Sequence, residues 1–243
     1  ITKMSHLHFT ATEDYRRRVI QLGEHPDRVF NVGAAGIENI KRLKLLSKKE
    51  FEKSINFNLN TKNLLVTFHP VTFENSTSKE HFKNLLSILN KLVETNIIFT
   101  KTNADTDGRV INKMIEKYVS DHPKTSIEFN SLGQLRYLSA MQYINGVVGN
   151  SSSGLLEAPS FKIGTINIGD RQKGRIKAKS VIDCESNTNS IKKAFSKLYS
   201  SKFKLKLKNI SNPYGKGHAT KRMLKILKNK SLPKNQKKAF YNL

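Results

Sequence analysis

From residue 64 onward, short apolar runs alternate with longer stretches whose apolar positions recur at three- and four-residue spacing. The short runs read as buried strands and the longer ones as amphipathic helices. Strands are expected at 64–68, 96–101, 126–129, 144–148, 163–168 and 181–183. Helices are expected at 78–94, 107–120, 132–141 and 190–199, with a short apolar helix after Gly154. This alternation implies parallel strands joined by right-handed crossovers. The expected fold class is α/β, a doubly wound, parallel, Rossmann-like sheet.

The earlier part of the chain is less regular. His6 to Phe9 alternates like a strand and leads to a helix at 13–21, with Thr12 as its N-cap and Tyr15, Val19 and Leu22 on one face. A strand is expected at 28–32, closed by Gly33, and residues 34–40 are the expected crossover between domains. The stretch 43–57 reads as an amphipathic helix, with Ser47 and Glu50 as a capping box. At the far end, the Gly-rich turn 212–217 precedes a helix at 219–228, and 231–243 reads as a basic, frayed tail. The expected divisions are 1–36, 37–212, 213–230 and 231–243.

Open parallel sheets bind ligands outside the carboxyl ends of their strands. The unusual polar clusters all fall on that rim. His69 follows the strand at 64–68, with Glu74 beyond it, and Asn103 follows the strand at 96–101. Phe129 and Asn130 end the next strand; Ser151, Ser152, Ser153 and Gly154 follow the fourth; Asp170, Arg171 and Arg175 follow the fifth. A strand that turns through small hydroxylated residues into a helix leaves backbone N–H groups and a helix dipole facing an anion. Gly154 permits close backbone approach. Glu157 would repel a phosphate but can accept two hydrogen bonds from vicinal sugar hydroxyls. Arg171 and Arg175 reach toward an anion from the neighbouring loop. Together these point to a nucleoside diphosphate with a ribose anchor. A serine-rich turn is also an ordinary capping motif, Asn130 and Ser131 can cap the following helix, and Phe129 suits a core as well as a base. His69 next to a diphosphate can donate a hydrogen bond or a proton to a departing oxygen.

Composition narrows the picture. The net charge is +24, and no acidic residue occurs after Glu185; residues 186–243 carry +16 of the total. That invites a polyanion-binding reading, but lysines spread over solvated helix faces are the ordinary outcome of a basic composition, and nucleic acid is not the expected partner. One cysteine, Cys184, excludes an internal disulfide and suits a reducing, cytoplasmic setting. No run reaches membrane-span length, and no Cys/His metal spacing, Walker A loop or GxSxG occurs. No metal, cofactor or membrane association is expected.

The chain resembles the UDP-N-acetylglucosamine 2-epimerase family. The match is carried by Gly149-Asn150-Ser151-Ser152-Ser153-Gly154 with Glu157, and by Ile168-Gly169-Asp170-Arg171-Gln172 with Gly174-Arg175. Outlying support comes from Ser5-His6-Leu7-His8-Phe9, Phe68-His69-Pro70-Val71-Thr72, Thr102-Asn103-Ala104-Asp105 and Pro213-Tyr214-Gly215-Lys216-Gly217. The His-Pro-Val-Thr form at 69–72 is similar to the hydrolysing branch, which makes N-acetylmannosamine and UDP for sialic acid synthesis. The resemblance implies a glycosyltransferase-B-type fold of which this is the C-terminal portion, with 1–36 a remnant of the N-terminal domain and 213–230 a return helix. It implies UDP-N-acetylglucosamine and UDP as ligands, His69 as a catalytic residue, and Asn103, Phe129, Asn130, Ser151, Ser152, Ser153, Gly154, Glu157, Arg171 and Arg175 as binding residues. His6 and His8 are weaker candidates. Full-length members carry their main carboxylates in the N-terminal domain, so little turnover is expected here, and a homo-oligomer is expected at full length. The alternatives are the non-hydrolysing branch or another enzyme of the same fold, and a basic polyanion-binding module.

Overall fold

A computed structural model describes residues 1–70, 77–102, 106–231 and 237–243, without the side chains of Thr106 and Asp107. The chain divides into two compact units, residues 1–44 with 212–243, and residues 45–211.

In the first unit, β1 (His8–Thr10) and β2 (Val29–Asn31) pair in parallel across helix α1 (Glu13–Gln21), and α2 (Ala35–Arg42) follows. Thr12 caps α1 as expected, its hydroxyl accepting from the Tyr15 N–H at 3.3 Å. The buried residue of α1 is Ile20, and Leu22, expected on one face with Tyr15 and Val19, is 55% exposed. Residues 34–40, expected as a crossover, begin α2 and belong to this unit. Ala34 N–H bonds to the Tyr214 carbonyl at 2.8 Å, and Glu38 accepts from Thr220 N–H at 2.9 Å.

The second unit begins with α3 (Lys48–Ile55), which carries the expected capping box between Ser47 and Glu50. It continues through β3 (Lys62–Thr67), α4 (Ser78–Leu89), β4 (Thr95–Thr100), α5 (Thr106–Asp121), β5 (Ser126–Phe129) and α6 (Gly133–Ala140). Then come β6 (Gly146–Gly149), α7 (Ser153–Leu156), β7 (Gly164–Ile168), β8 (Val181–Cys184), α8 (Thr188–Tyr199) and α9 (Ser201–Lys208). The sheet is wholly parallel, in the order β5-β4-β3-β6-β7-β8. Successive strand residues face opposite sides. Leu64, Val66, Ile97, Phe99 and Val148 pack with α4, α5 and α8 on one side. Leu65, Ile98 and Val147 pack with Phe51, Leu132 and Met141 on the other. Both faces are therefore covered, which is why the strands read as unbroken apolar runs.

Two boundaries and one helix differ from expectation for local reasons. The β6 ladder starts at Gly146 because Asn145 uses its side chain: its Oδ1 accepts from Asn63 N–H at 2.7 Å while its N–H donates to the Asn63 carbonyl at 2.7 Å. Helix α4 stops at Leu89, and Glu94 sits at φ 52°, its carbonyl accepting from Lys62 N–H. Helix α9 went unread because Lys202, Lys204, Lys206 and Lys208 alternate with apolar residues and imitate a strand. Its core contacts are Phe203 and Leu207, spaced by four, while Leu205 is 62% exposed.

The chain returns to the first unit with α10 (Ala219–Asn229). The last residues are not frayed. Tyr241 N–H bonds to the Gly23 carbonyl at 3.0 Å, the Phe240 ring lies against Gly23, and Lys238 pairs with buried Glu24 at 2.6 Å. An apolar–cationic segment that finds a carboxylate and an open backbone face has reason to dock. Among the described residues, no helix is long and apolar enough to cross a membrane.

Candidate functional site

The strand order reverses between β3 and β6, whose connections leave in opposite directions along the sheet. A crevice opens at the carboxyl ends of such a pair, and it is the usual ligand site of a doubly wound sheet. His69 stands two residues beyond β3, and Asn150 directly follows β6.

These two residues clasp each other. The Asn150 side chain accepts from His69 N–H at 2.7 Å and donates to the His69 carbonyl at 2.7 Å. Asn150 is 1% exposed, and its N–H donates to the Thr67 carbonyl at 3.2 Å. The approach is close because residue 149 is glycine: a Cβ there would sit 1.9 Å from the Thr67 oxygen, and its φ of 128° disfavours any side chain. The Asn150 carbonyl then accepts from the Arg171 guanidinium at 3.1 Å and from the Gln172 amide at 2.7 Å. Through one asparagine the ends of β3 and β6 and the loop after β7 are tied together.

A second clasp repeats the device at β4. Thr102 N–H donates to the Asn112 side chain at 3.0 Å, and that side chain donates to the Thr102 carbonyl at 3.2 Å. The Thr102 hydroxyl lies 2.9 Å from His69 Nδ1. Lys101, one residue earlier, bridges Glu116 at 2.8 Å and Glu128 at 3.2 Å. Its ammonium is held above its ordinary pKa, chiefly by the Glu116 hydrogen bond.

The serine turn takes a different form from the one expected. Helix α7 is a single four-residue turn, followed by a 3-10 turn at Ala158–Phe161. Ser152, at the N-cap, makes no side-chain cap, and Ser151 Oγ instead accepts from Ser153 N–H at 3.3 Å. So short a helix adds little dipole, and attraction for an anion falls mainly to the guanidinium groups. The absent Cβ of Gly154 faces the sheet, where it would meet the Thr165 methyl at 2.4 Å, and its carbonyl accepts from the Thr165 hydroxyl at 2.8 Å. Packing alone accounts for the glycine.

Glu157 is half-buried, and its Oε2 is buried with no hydrogen-bond partner. Burial pushes its carboxyl up. The neighbouring Tyr137 phenol is pushed up to about 12 by desolvation. Arg171 is held below its ordinary pKa by burial and by the charge of Arg175. Two guanidinium groups that repel each other gain by sharing an anion. Arg175 itself is exposed.

The remaining expected residues are less central. Phe129, at the edge strand, packs against the core beneath the Arg136 guanidinium, 5.7 Å from the ring centre. Asn130 is exposed beside it, and Ser131 caps the next turn by accepting from Gly133 N–H. Asn103 and Glu74 lie outside the described residues. In the first unit, His8 is committed to Glu24 at 2.8 Å. Sequence reasoning missed Asn112 and Tyr137 as parts of the site, and quoted Thr102 only as the first residue of the Thr102-Asn103-Ala104-Asp105 stretch. Nothing in their spacing sets them apart, whereas Gln172 was visible between the two arginines. A polar hollow of about 540 Å³ beside β7 and β8, lined by Glu80, His81, Asn84, Asp170 and Glu185, contains none of the expected binding residues. Among the described residues, no group of three or more His, Cys, Asp or Glu could hold a metal ion.

A doubly wound parallel sheet, with a histidine and an arginine joined through one asparagine at its reversal point, defines a Rossmann-like class of α/β unit. The family model for UDP-N-acetylglucosamine 2-epimerase matches residues 1–228, and the chain belongs to that family. It is 43% identical over 204 residues to the GDP/UDP-N,N'-diacetylbacillosamine 2-epimerase (hydrolyzing) of Campylobacter jejuni, covering 84% of this chain and 53% of that protein. It is 40% identical to the polysialic acid biosynthesis protein P7 of Escherichia coli, covering 100% of this chain and 62% of that one. The S. aureus MnaA–UDP co-structure superposes with a TM-score of 0.74 at 16% identity, over 93% of this chain and 61% of that one, and shares the fold. The chain thus spans between half and two thirds of the length of these three proteins.

Proposed function

We propose that this chain carries the UDP-binding portion of a hydrolysing 2-epimerase that converts UDP-N-acetylglucosamine and water to N-acetylmannosamine and UDP. The observation that carries this reading is the junction of His69, Asn150 and Arg171 where the strand order reverses. In this reading Glu157 grips the ribose hydroxyls, and Arg171 and Arg175 hold the diphosphate near the serine turn. Loss of the C2 proton to a base leaves its electron pair to form a C1=C2 double bond. The C1–O bond breaks, its electron pair leaves with UDP, and His69 supplies a proton or hydrogen bond to the departing oxygen. Water then adds across the double bond and returns hydrogen to C2 on the opposite face. The base for C2 is expected outside residues 1–243. The hydrolysing assignment draws on the Campylobacter relative's name and on the His-Pro-Val-Thr form at 69–72.

A second substrate, UDP-N,N'-diacetylbacillosamine, is favoured by the same relative's name. Incubating the 243-residue chain with each nucleotide sugar and following UDP release tests the reading, alongside calorimetry with UDP, GDP and ADP. The expected result is UDP-selective binding with little release. Release at rates of about 1–10³ per second, ordinary for an enzyme, or a preference for ADP, would overturn it.

A further inference from the structure

We propose that α9 and the end of α8 form a basic face that docks on an anionic lipid surface, at the rim of the sheet opposite the candidate site. The contact is with a membrane surface and is not a span. It stands independently of the nucleotide reading.

Packing fixes where this face lies. A Cβ on Gly146 would meet the Leu198 side chain at 2.8 Å, and one on Gly164 would meet the Phe203 ring at 2.9 Å. Gly146 and Gly164 are the first residues of β6 and β7. The end of α8 and the start of α9 therefore cover the amino ends of the strands. His69, Asn150 and Arg171 stand beyond the carboxyl ends. Lys62, at the start of β3, and Lys204 both hold their ammonium groups over the Tyr199 ring, 5.6 and 5.9 Å from its centre.

Phe203 and Leu207 turn one side of α9 to the core, and at about 3.6 residues per turn this puts Leu205 on the outer crest, 62% exposed. Lys202 and Lys206 flank it on one side and Lys204 and Lys208 on the other, all exposed, with exposed Lys197 in the last turn of α8. No Asp or Glu follows Glu185 in the chain, and Glu185 itself follows β8 at the other rim. Glu94, whose carbonyl accepts from Lys62 N–H at 3.2 Å, sets one negative charge against these six lysines.

A leucine ringed by lysines suits a headgroup layer: its apolar tip enters the acyl boundary while the ammonium groups stay with the phosphates. The helix is already held by Phe203 and Leu207, so docking carries no cost of folding it. Nucleic acid suits the face less. Residues 186–211 hold no arginine. Phe195 and Phe203 are buried, and Tyr199 lies beneath two ammonium groups, so these rings are not presented for base stacking.

The test is co-sedimentation of the full chain with vesicles of two parts phosphatidylcholine to one of phosphatidylglycerol, against phosphatidylcholine alone. Binding should need the anionic lipid and weaken as salt rises. The fourfold variant Lys202→Gln/Lys204→Gln/Lys206→Gln/Lys208→Gln should lower the partition coefficient about a hundredfold or more. Leu205→Ala, which leaves the charge alone, should lower it about fivefold. A control that removes the same charge from α3, α4 and α5, Lys49→Gln/Lys53→Gln/Lys83→Gln/Lys113→Gln, should lower it at most about tenfold. Equal losses in the two fourfold variants would reduce the effect to net charge and overturn the proposal. Binding to neither vesicle, equal binding to both, or an unchanged Leu205→Ala would also overturn it. Should the first fourfold variant fail to fold, Lys202→Gln and Lys208→Gln decide singly, each expected to lose about fivefold. Tighter retention of a single-stranded RNA than of the anionic vesicles at equal salt, lost in the same variants, would assign the face to nucleic acid instead.

Discussion

Replacing Asn150 by alanine removes both bonds to the His69 backbone and strands a His69 N–H in a half-buried place. The chemistry of each lost bond is modest, but an unsatisfied buried group adds its desolvation cost. Asn150→Ala should therefore lower stability by about 2–4 kcal/mol, read as a lower urea midpoint with an unchanged slope. A change within about 0.5 kcal/mol, the range of ordinary surface substitutions, would mean that the clasp is not a structural hub. At this same scale the sequence was informative where chemistry repeats and silent where it does not. The Gly149–Gly154 run and the Arg171–Arg175 pair stand out by composition. The Thr102 and Asn112 clasp does not, because a side chain that satisfies backbone groups can be any amide at the right distance in space.

At the scale of elements, the strands of the larger unit were legible because both faces of a parallel sheet are buried. Their ends were shifted by one or two residues where a side chain stood in for a backbone group, as Asn145 does. Helix α9 was illegible because alternating lysines carry a two-residue period over a four-residue core spacing. The docking of residues 237–241 was hidden for another reason: it depends on Glu24, far away in sequence. Glu24 is nearly fully buried and faces Lys238, His8 and Lys3. Desolvation pushes its carboxyl up, but hydrogen bonds from Lys238, His8 and Lys3 together outweigh that and hold it below its ordinary 4.5. A depressed folded pKa means that the stabilisation is present above the unfolded value and is lost as pH falls through the folded one. The melting temperature should therefore fall as pH drops below 4.5, and Glu24→Gln should flatten that slope. An identical acid slope in the variant would remove Glu24 from the account.

At the scale of the whole molecule, the charge of +24 is the property most easily misread. Lys101, Lys177 and Lys238 are spent on internal carboxylates. The exposed guanidinium of Arg175 is different, for it pushes on Arg171 from the rim of the sheet. Family membership, the reversal of strand order and the clasped histidine all bear on one claim: a uridine nucleotide binds at the joined ends of β3, β6 and β7. The most direct test is calorimetric titration of UDP into the wild-type chain and into Arg175→Ala, with melting temperature as the control. The account predicts saturable binding that weakens by about tenfold or more in the variant, as expected for a lost charge-assisted contact, with the melting temperature unchanged. Absent binding in the wild type, or equal affinity in both proteins, would contradict it.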